Sequence, residues 1–93
     1  MSAPEVIDDP SRSRFEILVD GEPAGLVTYR LRPSSIVFLH TEIGDEYEGK
    51  GLGSVLVKAA LDSARARGLQ VVPSCPFVRA WIERHPDYAD LVR

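Results

Sequence analysis

The sequence predicts an α/β fold of the α+β kind, an antiparallel three-stranded meander followed by a helix, a parallel strand and a C-terminal helix. Three observations carry that expectation. Apolar residues alternate with a period of two through the first half of the chain, the period changes to that of a helix beyond Gly51, and a short β-branched run follows Gly68.

Met1 to about Ser13 mixes Pro, Asp, Ser and Arg without apolar periodicity, so residues 1–13 are expected to form a mobile lead-in to a single domain over 14–93. Phe15, Ile17 and Val19 alternate with Glu16 and Leu18 as in a strand. Asp20-Gly21-Glu22-Pro23 supplies a turn, because Gly21 accepts positive φ and Pro23 cannot donate to a ladder. Val27, Tyr29 and Leu31 alternate with Thr28, Arg30 and Arg32 in a second strand, Pro33-Ser34-Ser35 turns the chain, and a third strand runs from Ile36 to Ile43. Beyond Gly51, Leu52, Val55, Leu56, Ala59, Ala60 and Ala64 fall on one helical stripe, opposite Lys58, Asp62, Arg65 and Arg67. Gly68 suits the position just past the helix, where a left-handed residue closes the last turn. Leu69 to Pro73 then reads as a strand reached by a right-handed crossover and parallel to the one ending at Ile43. Pro76 suits the first turn of a second helix, with Phe77, Trp81 and Ile82 packing on the sheet. Pro86 stops that helix, and Asp87 to Val92 is expected to add at most one turn.

Composition excludes several classes of function. At 93 residues and 44% hydrophobic, the chain has one modest core. No apolar run approaches the roughly 20 residues of a membrane span, and the start lacks the basic and apolar segments of a secretory signal, so the expectation is a cytoplasmic protein without a membrane partner. One Cys and two His make a metal site implausible, and a lone Cys cannot close an internal disulfide. A net charge of −3 with no basic stripe argues against nucleic acid as a partner. Oligomeric state is left open.

The chemistry-bearing stretch is Glu48-Gly49-Lys50-Gly51-Leu52-Gly53, a glycine turn between a strand and a helix start. Glycines let the backbone approach a diphosphate closely, and the first amides of the helix lack intrahelical partners and carry the positive dipole end. Neither the Walker spacing nor the G-x-G-x-x-G fingerprint with its later acidic residue is present.

The pattern is similar to the pyrophosphate loop of the GNAT superfamily of acetyl-CoA-dependent N-acetyltransferases, Arg/Gln-x-x-Gly-x-Gly/Ala, with Gly51 and Gly53 in place and Glu48 where Arg or Gln is usual. The strings HTEI (His40–Ile43), GKGLG (Gly49–Gly53), PSCPFV (Pro73–Val78) and HPDY (His85–Tyr88) resemble a short, single-domain GNAT-like subfamily, in order, over about Arg14 to Val92. Full-length members carry a strand and two helices ahead of the meander; the helices are missing here. The resemblance implies a minimal GNAT fold and acetyl-CoA or coenzyme A as cofactor. It also implies that Gly49, Lys50, Gly51, Leu52, Gly53 and Ser54 hold the pyrophosphate, while backbone groups at Glu42 and Ile43 pair with the pantetheine arm. Glu48, Glu46 and Asp45 are expected to face solvent.

Cys75 precedes Pro76 in the N-cap region of the second helix, where the dipole favours a thiolate. It coincides with the subfamily's cysteine and with the thioester slot expected between Ile43 and Ser74. Its possible roles are acetyl carrier, proton donor or pocket lining, against the bland reading of a small buried hydrophobe. Glu42 and His40, two apart on a strand, share one face and are the candidate bases for deprotonating an amine, Glu42 first. Tyr88 as a proton donor ranks below an edge-packing role. Trp81 and Phe77 read as core, His85 as a helix-end residue bonding final carbonyls, and Arg79 and Arg84 as a solvated face with reach toward an adenosine phosphate. Two functions follow. One is an N-acetyltransferase acting on a small-molecule or peptide amine, with Cys75 assisting; the alternative is a CoA or acyl-CoA-binding module with little or no transferase activity.

Overall fold

In a computed structural model that describes residues 3–92, five strands form one mixed sheet in sequence order. β1 (Glu5–Asp9), β2 (Arg14–Val19), β3 (Glu22–Leu31) and β4 (Ser35–Ile43) pair antiparallel in turn. After α1 (Leu52–Ala66), β5 (Gln70–Pro73) pairs parallel to β4, and α2 (Pro76–Arg84) follows. Phe38, Ile17, Ile36, Leu56, Leu61 and Val27 are among the largest fully buried side chains, so the core lies between one face of the sheet and the helices.

The segment expected as an irregular lead-in contains β1, which pairs with β2 from Glu5↔Leu18 to Asp9↔Arg14. The reason is that an edge strand needs little apolar surface when its backbone bonds to a neighbour and a few side chains anchor it. Val6 packs against the core, and the Tyr29 hydroxyl donates to Asp8 at 2.6 Å. Burial, helped by that carboxylate, pushes the Tyr29 phenol up to about 12. One 3₁₀ turn, Pro10–Arg12, connects β1 to β2. The next hairpin is tighter than expected: Asp20 (φ 51°) and Gly21 (φ 80°) form a two-residue loop, and β3 begins at Glu22. Positive φ at both positions gives the turn whose twist matches its strands.

A register shift between Thr28 and Tyr29 decides which way β4 faces. Tyr29 is opposite Phe38 but Thr28 is opposite His40, so Leu39 is the extra residue of a bulge. Thr41 then lies opposite buried Val27, on the helix side, whereas His40 and Glu42 lie opposite Thr28 and Leu26 on the open face.

α1 ends at a left-handed Gly68 (φ 69°), with Leu69 N–H donating to Ala64 O at 2.9 Å and Gly68 N–H to Arg65 O at 3.1 Å. Its buried stripe is Leu52, Leu56, Val57, Ala60, Leu61 and Ala64. Val55, assigned to that stripe from periodicity, is exposed, and Val57 and Leu61 replace it because the sheet sits to one side of the expected axis. Phe77 also departs from expectation. It is 45% exposed, and Val78, Trp81 and Ile82 bury the α2 face instead. The last segment is a longer 3₁₀ stretch than expected, Pro86–Leu91. It is held by Arg65, which donates to both Asp90 carboxylate oxygens at 2.9 and 3.0 Å and to Asp87 O at 3.0 Å.

Candidate functional site

The glycine turn meets the start of α1 with its backbone open. Gly49 (φ 80°) and Gly51 (φ 76°) are both left-handed, and a Cβ at either would meet nothing within 4 Å. Gly51 is the N-cap, and Val55 N–H donates to Gly51 O at 3.3 Å to open the helical ladder. The amides of Leu52, Gly53 and Ser54 therefore precede the ladder and face an open cleft of about 460 Å³ lined by Ile43, Tyr47, Glu48, Gly51, Ser54 and Phe77, among others. A diphosphate suits such a cradle: unhindered backbone donors at a helix N-terminus.

Gly53 is needed for a different reason. A Cβ there would stand 2.7 Å from Phe77 Cζ, so the Phe77 ring lies against the helix start only because residue 53 has no side chain. Gly53→Ala is expected to swing that ring into the cleft. CoA affinity should fall about tenfold, ~1.4 kcal/mol, with the melting temperature unchanged or raised, since Ala favours helix over Gly. Adding Phe77→Ala should restore affinity. Calorimetric titration of the two variants checks this, and an unaltered affinity in Gly53→Ala would show that the ring has room elsewhere.

The second part of the site is an unpaired strand edge. β4 pairs with β5 only from Ser35↔Gln70 to Phe38↔Pro73, after which the chain turns away, with Cys75 N–H donating to Phe38 O at 2.9 Å. From Leu39 to Ile43, β4 has a strand partner on the β3 side alone. Beside this opening, Cys75 is the N-cap of α2, is 2% exposed, and shares a 3.2 Å hydrogen bond between its Sγ and Thr41 Oγ1. Thr41 reaches Cys75 because the bulge at Leu39 turns it to the helix side.

The candidate bases lie across the strand from that thiol. His40 Nε2 is 3.1 Å from Glu42 Oε2, and both side chains are exposed on the open face. Lys50, expected at the phosphates, stands instead 6.0 Å from the Tyr47 ring centroid and outside the cleft lining. Glu48, expected to face solvent, is exposed yet lines the cleft.

Tyr88 is occupied elsewhere. Its hydroxyl donates to Asp62 Oδ1 at 2.7 Å on the far part of α1, and that bond, with burial, raises its pKa. Burial alone would raise the Asp62 carboxyl, but the bonds from Tyr88 and Lys58 outweigh it and hold the group below its ordinary value. His85 Nδ1–H donates to Trp81 O at 2.7 Å and its ring stacks on Trp81 at 3.7 Å, the expected helix-end role. Trp81 in turn donates its indole N–H to Ser54 Oγ at 2.7 Å, tying α2 to the start of α1. Arg79 and Arg84 are exposed. Three residues of the site, Tyr47, Phe77 and Thr41, lie outside the set that the sequence marks. The available signal was an aromatic residue flanking the glycine turn and the Pro76-Phe77 pair at the second helix start; nothing local marks Thr41. Among the described residues no group of three or more His, Cys, Asp or Glu is placed to hold a metal, and no helix is long and apolar enough to cross a membrane.

Comparison with known proteins converges on one family. A model of the GCN5-related N-acetyl-transferase domain matches residues 14–91. Protein NATD1 of Gallus gallus is 30% identical over 84 residues, covering 88% of this chain and 76% of the relative. Protein NATD1 of Homo sapiens is 30% identical over 80 residues, covering 84% and 71%. The solution structure of a GCN5-like N-acetyltransferase candidate from Staphylococcus aureus superposes with a TM-score of 0.75 at 29% identity, covering 100% of this chain and 91% of that one. A ribosomal-protein-alanine N-acetyltransferase from Brucella melitensis biovar Abortus 2308 shares the fold, with a TM-score of 0.62 at 21% identity over 86% of this chain and 60% of that one.

Proposed function

The chain belongs to the GCN5-related N-acetyltransferase family, and from that premise we propose that it binds acetyl-CoA and transfers the acetyl group to a primary amine. The observation that carries this reading is the meeting, in one place, of the glycine cradle at the start of α1 with the free edge of β4. The cradle's Leu52, Gly53 and Ser54 amides donate to the diphosphate, with no help required from the Glu48 or Lys50 side chains. The backbone groups of Ile43 point to the free edge and pair with the pantetheine arm as a neighbouring strand would, which supports the thioester beside Cys75; those of Glu42, in step with Gly44, whose N–H donates to Ala24 O at 2.8 Å, face β3. Acetyl-CoA supplies the activated acetyl group when bound.

The chain's own residues then handle protons. Glu42, with His40 beside it, takes the proton from the acceptor ammonium so that the nitrogen lone pair is free to attack. Cys75, backed by the Thr41 hydroxyl, donates a proton toward the departing thiolate. Cys75→Ala is expected to keep CoA affinity within about twofold and to lose acetyl transfer. Alkylation of Cys75 should be blocked by bound CoA. If the variant transfers acetyl groups normally and the thiol is inert to alkylation with and without CoA, Cys75 is core packing and catalysis rests on Glu42, His40 or positioning.

A second reading is a CoA or acyl-CoA-binding module. It is favoured by the connection between β1 and β2, where the single 3₁₀ turn Pro10–Arg12 stands in place of two helices. Titration with CoA, followed by measurement of free thiol released from acetyl-CoA with and without amines, separates the two. Release that requires an amine supports the transferase, whereas binding without release supports the module.

A further inference from the structure

The open face of the sheet carries a second cleft, of about 590 Å³, which the cofactor reading does not use. Its charged lining residues are Arg12, Arg14, Glu16, Glu42 and Asp45, with Leu26 and Pro23 among the apolar ones. The registers explain how these come together. Asp9, Arg14, Thr28 and His40 form one row across β1 to β4, and Ile7, Glu16, Leu26 and Glu42 form the next. Since neighbouring strands lie about 4.8 Å apart, Glu16 on β2 stands about 10 Å from Glu42 on β4 with Leu26 between them, and Arg14 lies in the adjoining row, two residues along β2.

The charges divide into two poles. Arg14 donates through Nε and Nη2 to the same oxygen of Glu16 at 2.7 Å, which neutralises Glu16 and leaves Nη1 of the guanidinium without a partner among the described residues. Arg12 is 66% exposed and only loosely held by Asp9 at 3.8 Å, so this side of the cleft presents a cation. On the other side are Glu42 and Asp45. Glu42 is paired only with His40, and the Asp45 carboxylate has no ion-pair partner among the described residues. Glu42 lies on the β4 stretch whose opposite edge is unpaired, so an amine bound at this pole sits beside the thioester slot.

We infer that this cleft is the acceptor site and that it takes a zwitterion: an amine held at Glu42 and Asp45, carrying a carboxylate held at Arg12 and Arg14, with an aliphatic stretch over Leu26. The inference rests on the proposed transferase reading, but binding to the cleft is measurable without it. A simple diamine would meet the Arg12 cation with its second ammonium, and a simple monoamine would leave that cation without a partner. Charge complementarity therefore selects among amines of matched length.

The test compares 6-aminohexanoate, 1,5-diaminopentane and pentylamine by amide chemical-shift titration of the whole chain. On the wild-type protein 6-aminohexanoate should bind at least tenfold tighter than the other two, with the largest shifts at residues 12–16, 24–26 and 42–45. Arg12→Glu, at an exposed position, should invert the order so that the diamine binds tightest. Glu42→Gln should weaken all three. Equal affinities, a wild-type preference for the diamine, no detectable binding of any probe, or an order that Arg12→Glu leaves unaltered would overturn the inference. A separate CoA titration of the wild-type sample scores the cofactor reading independently. The amine series keeps its meaning whichever way that titration falls.

Discussion

Gly51→Val is expected to lower CoA affinity at least a hundredfold, about 2.8 kcal/mol, while the protein remains folded. Gly51 is the N-cap of α1 at φ 76°, a conformation that a β-branched residue resists. The variant must either hold the strained turn, at a cost of about 1–2 kcal/mol, or move the backbone donors away from their convergent arrangement. Nothing lies within 4 Å of the added Cβ, so the loss cannot be ascribed to a clash inside the protein. Gly51→Asn provides the contrast. Asn tolerates the left-handed region, so it should preserve the turn and retain much more affinity than Val. Calorimetry with CoA, alongside an amide spectrum to establish folding, reads both. Wild-type affinity in a folded Gly51→Val protein would remove the cradle from the binding site.

The largest effect on stability is expected from Phe38→Ala. Phe38 is 0% exposed, stacks obliquely near Phe15 with ring centroids 6.4 Å apart, and sits at the last pair between β4 and β5. Truncating a buried Phe costs about 3–5 kcal/mol, a large share of the roughly 5–15 kcal/mol of an ordinary domain. For a chain of this size that amounts to a fall in melting temperature of about 12 °C or more. The neighbouring Leu39→Ala makes the comparison sharp. Leu39 is the bulge residue and is 43% exposed, so its truncation should cost about 1 kcal/mol or less. Thermal unfolding followed by circular dichroism would expose an error in the facing of β4 if the two variants lost similar stability.

These two residues also mark where local pattern stops being informative. Alternation made the meander strands legible, and the change of period at Gly51 with Gly68 beyond it made α1 legible, because each signal is local and repeats. The glycine cradle was legible for the same reason: Gly49 and Gly51 advertise a left-handed backbone before a helix. The strand β1 was not, since Glu5–Asp9 draws its order from bonds to β2 and from Tyr29 reaching Asp8 across 21 positions of sequence. Helical spacing alone predicts Val55 and Phe77 in the core, yet both are exposed. Their exposure depends on where the sheet lies relative to the helix axes, which periodicity does not specify.

For the site, the sequence by itself determined the chemistry available: a glycine turn at a helix start, a lone cysteine ahead of Pro76, and His40 and Glu42 sharing a strand face. Tertiary structure alone decided how these are disposed. One extra residue at Leu39 reverses the parity of β4, which sends Thr41 to Cys75 on the helix side and His40 with Glu42 to the open face. Arg12, Arg14 and Glu42 meet in one cleft only because antiparallel registers align residues distant in sequence. A bulge and a register are properties of paired strands, set by the packing and bonding of partners far along the chain, so no single stretch of residues contains them.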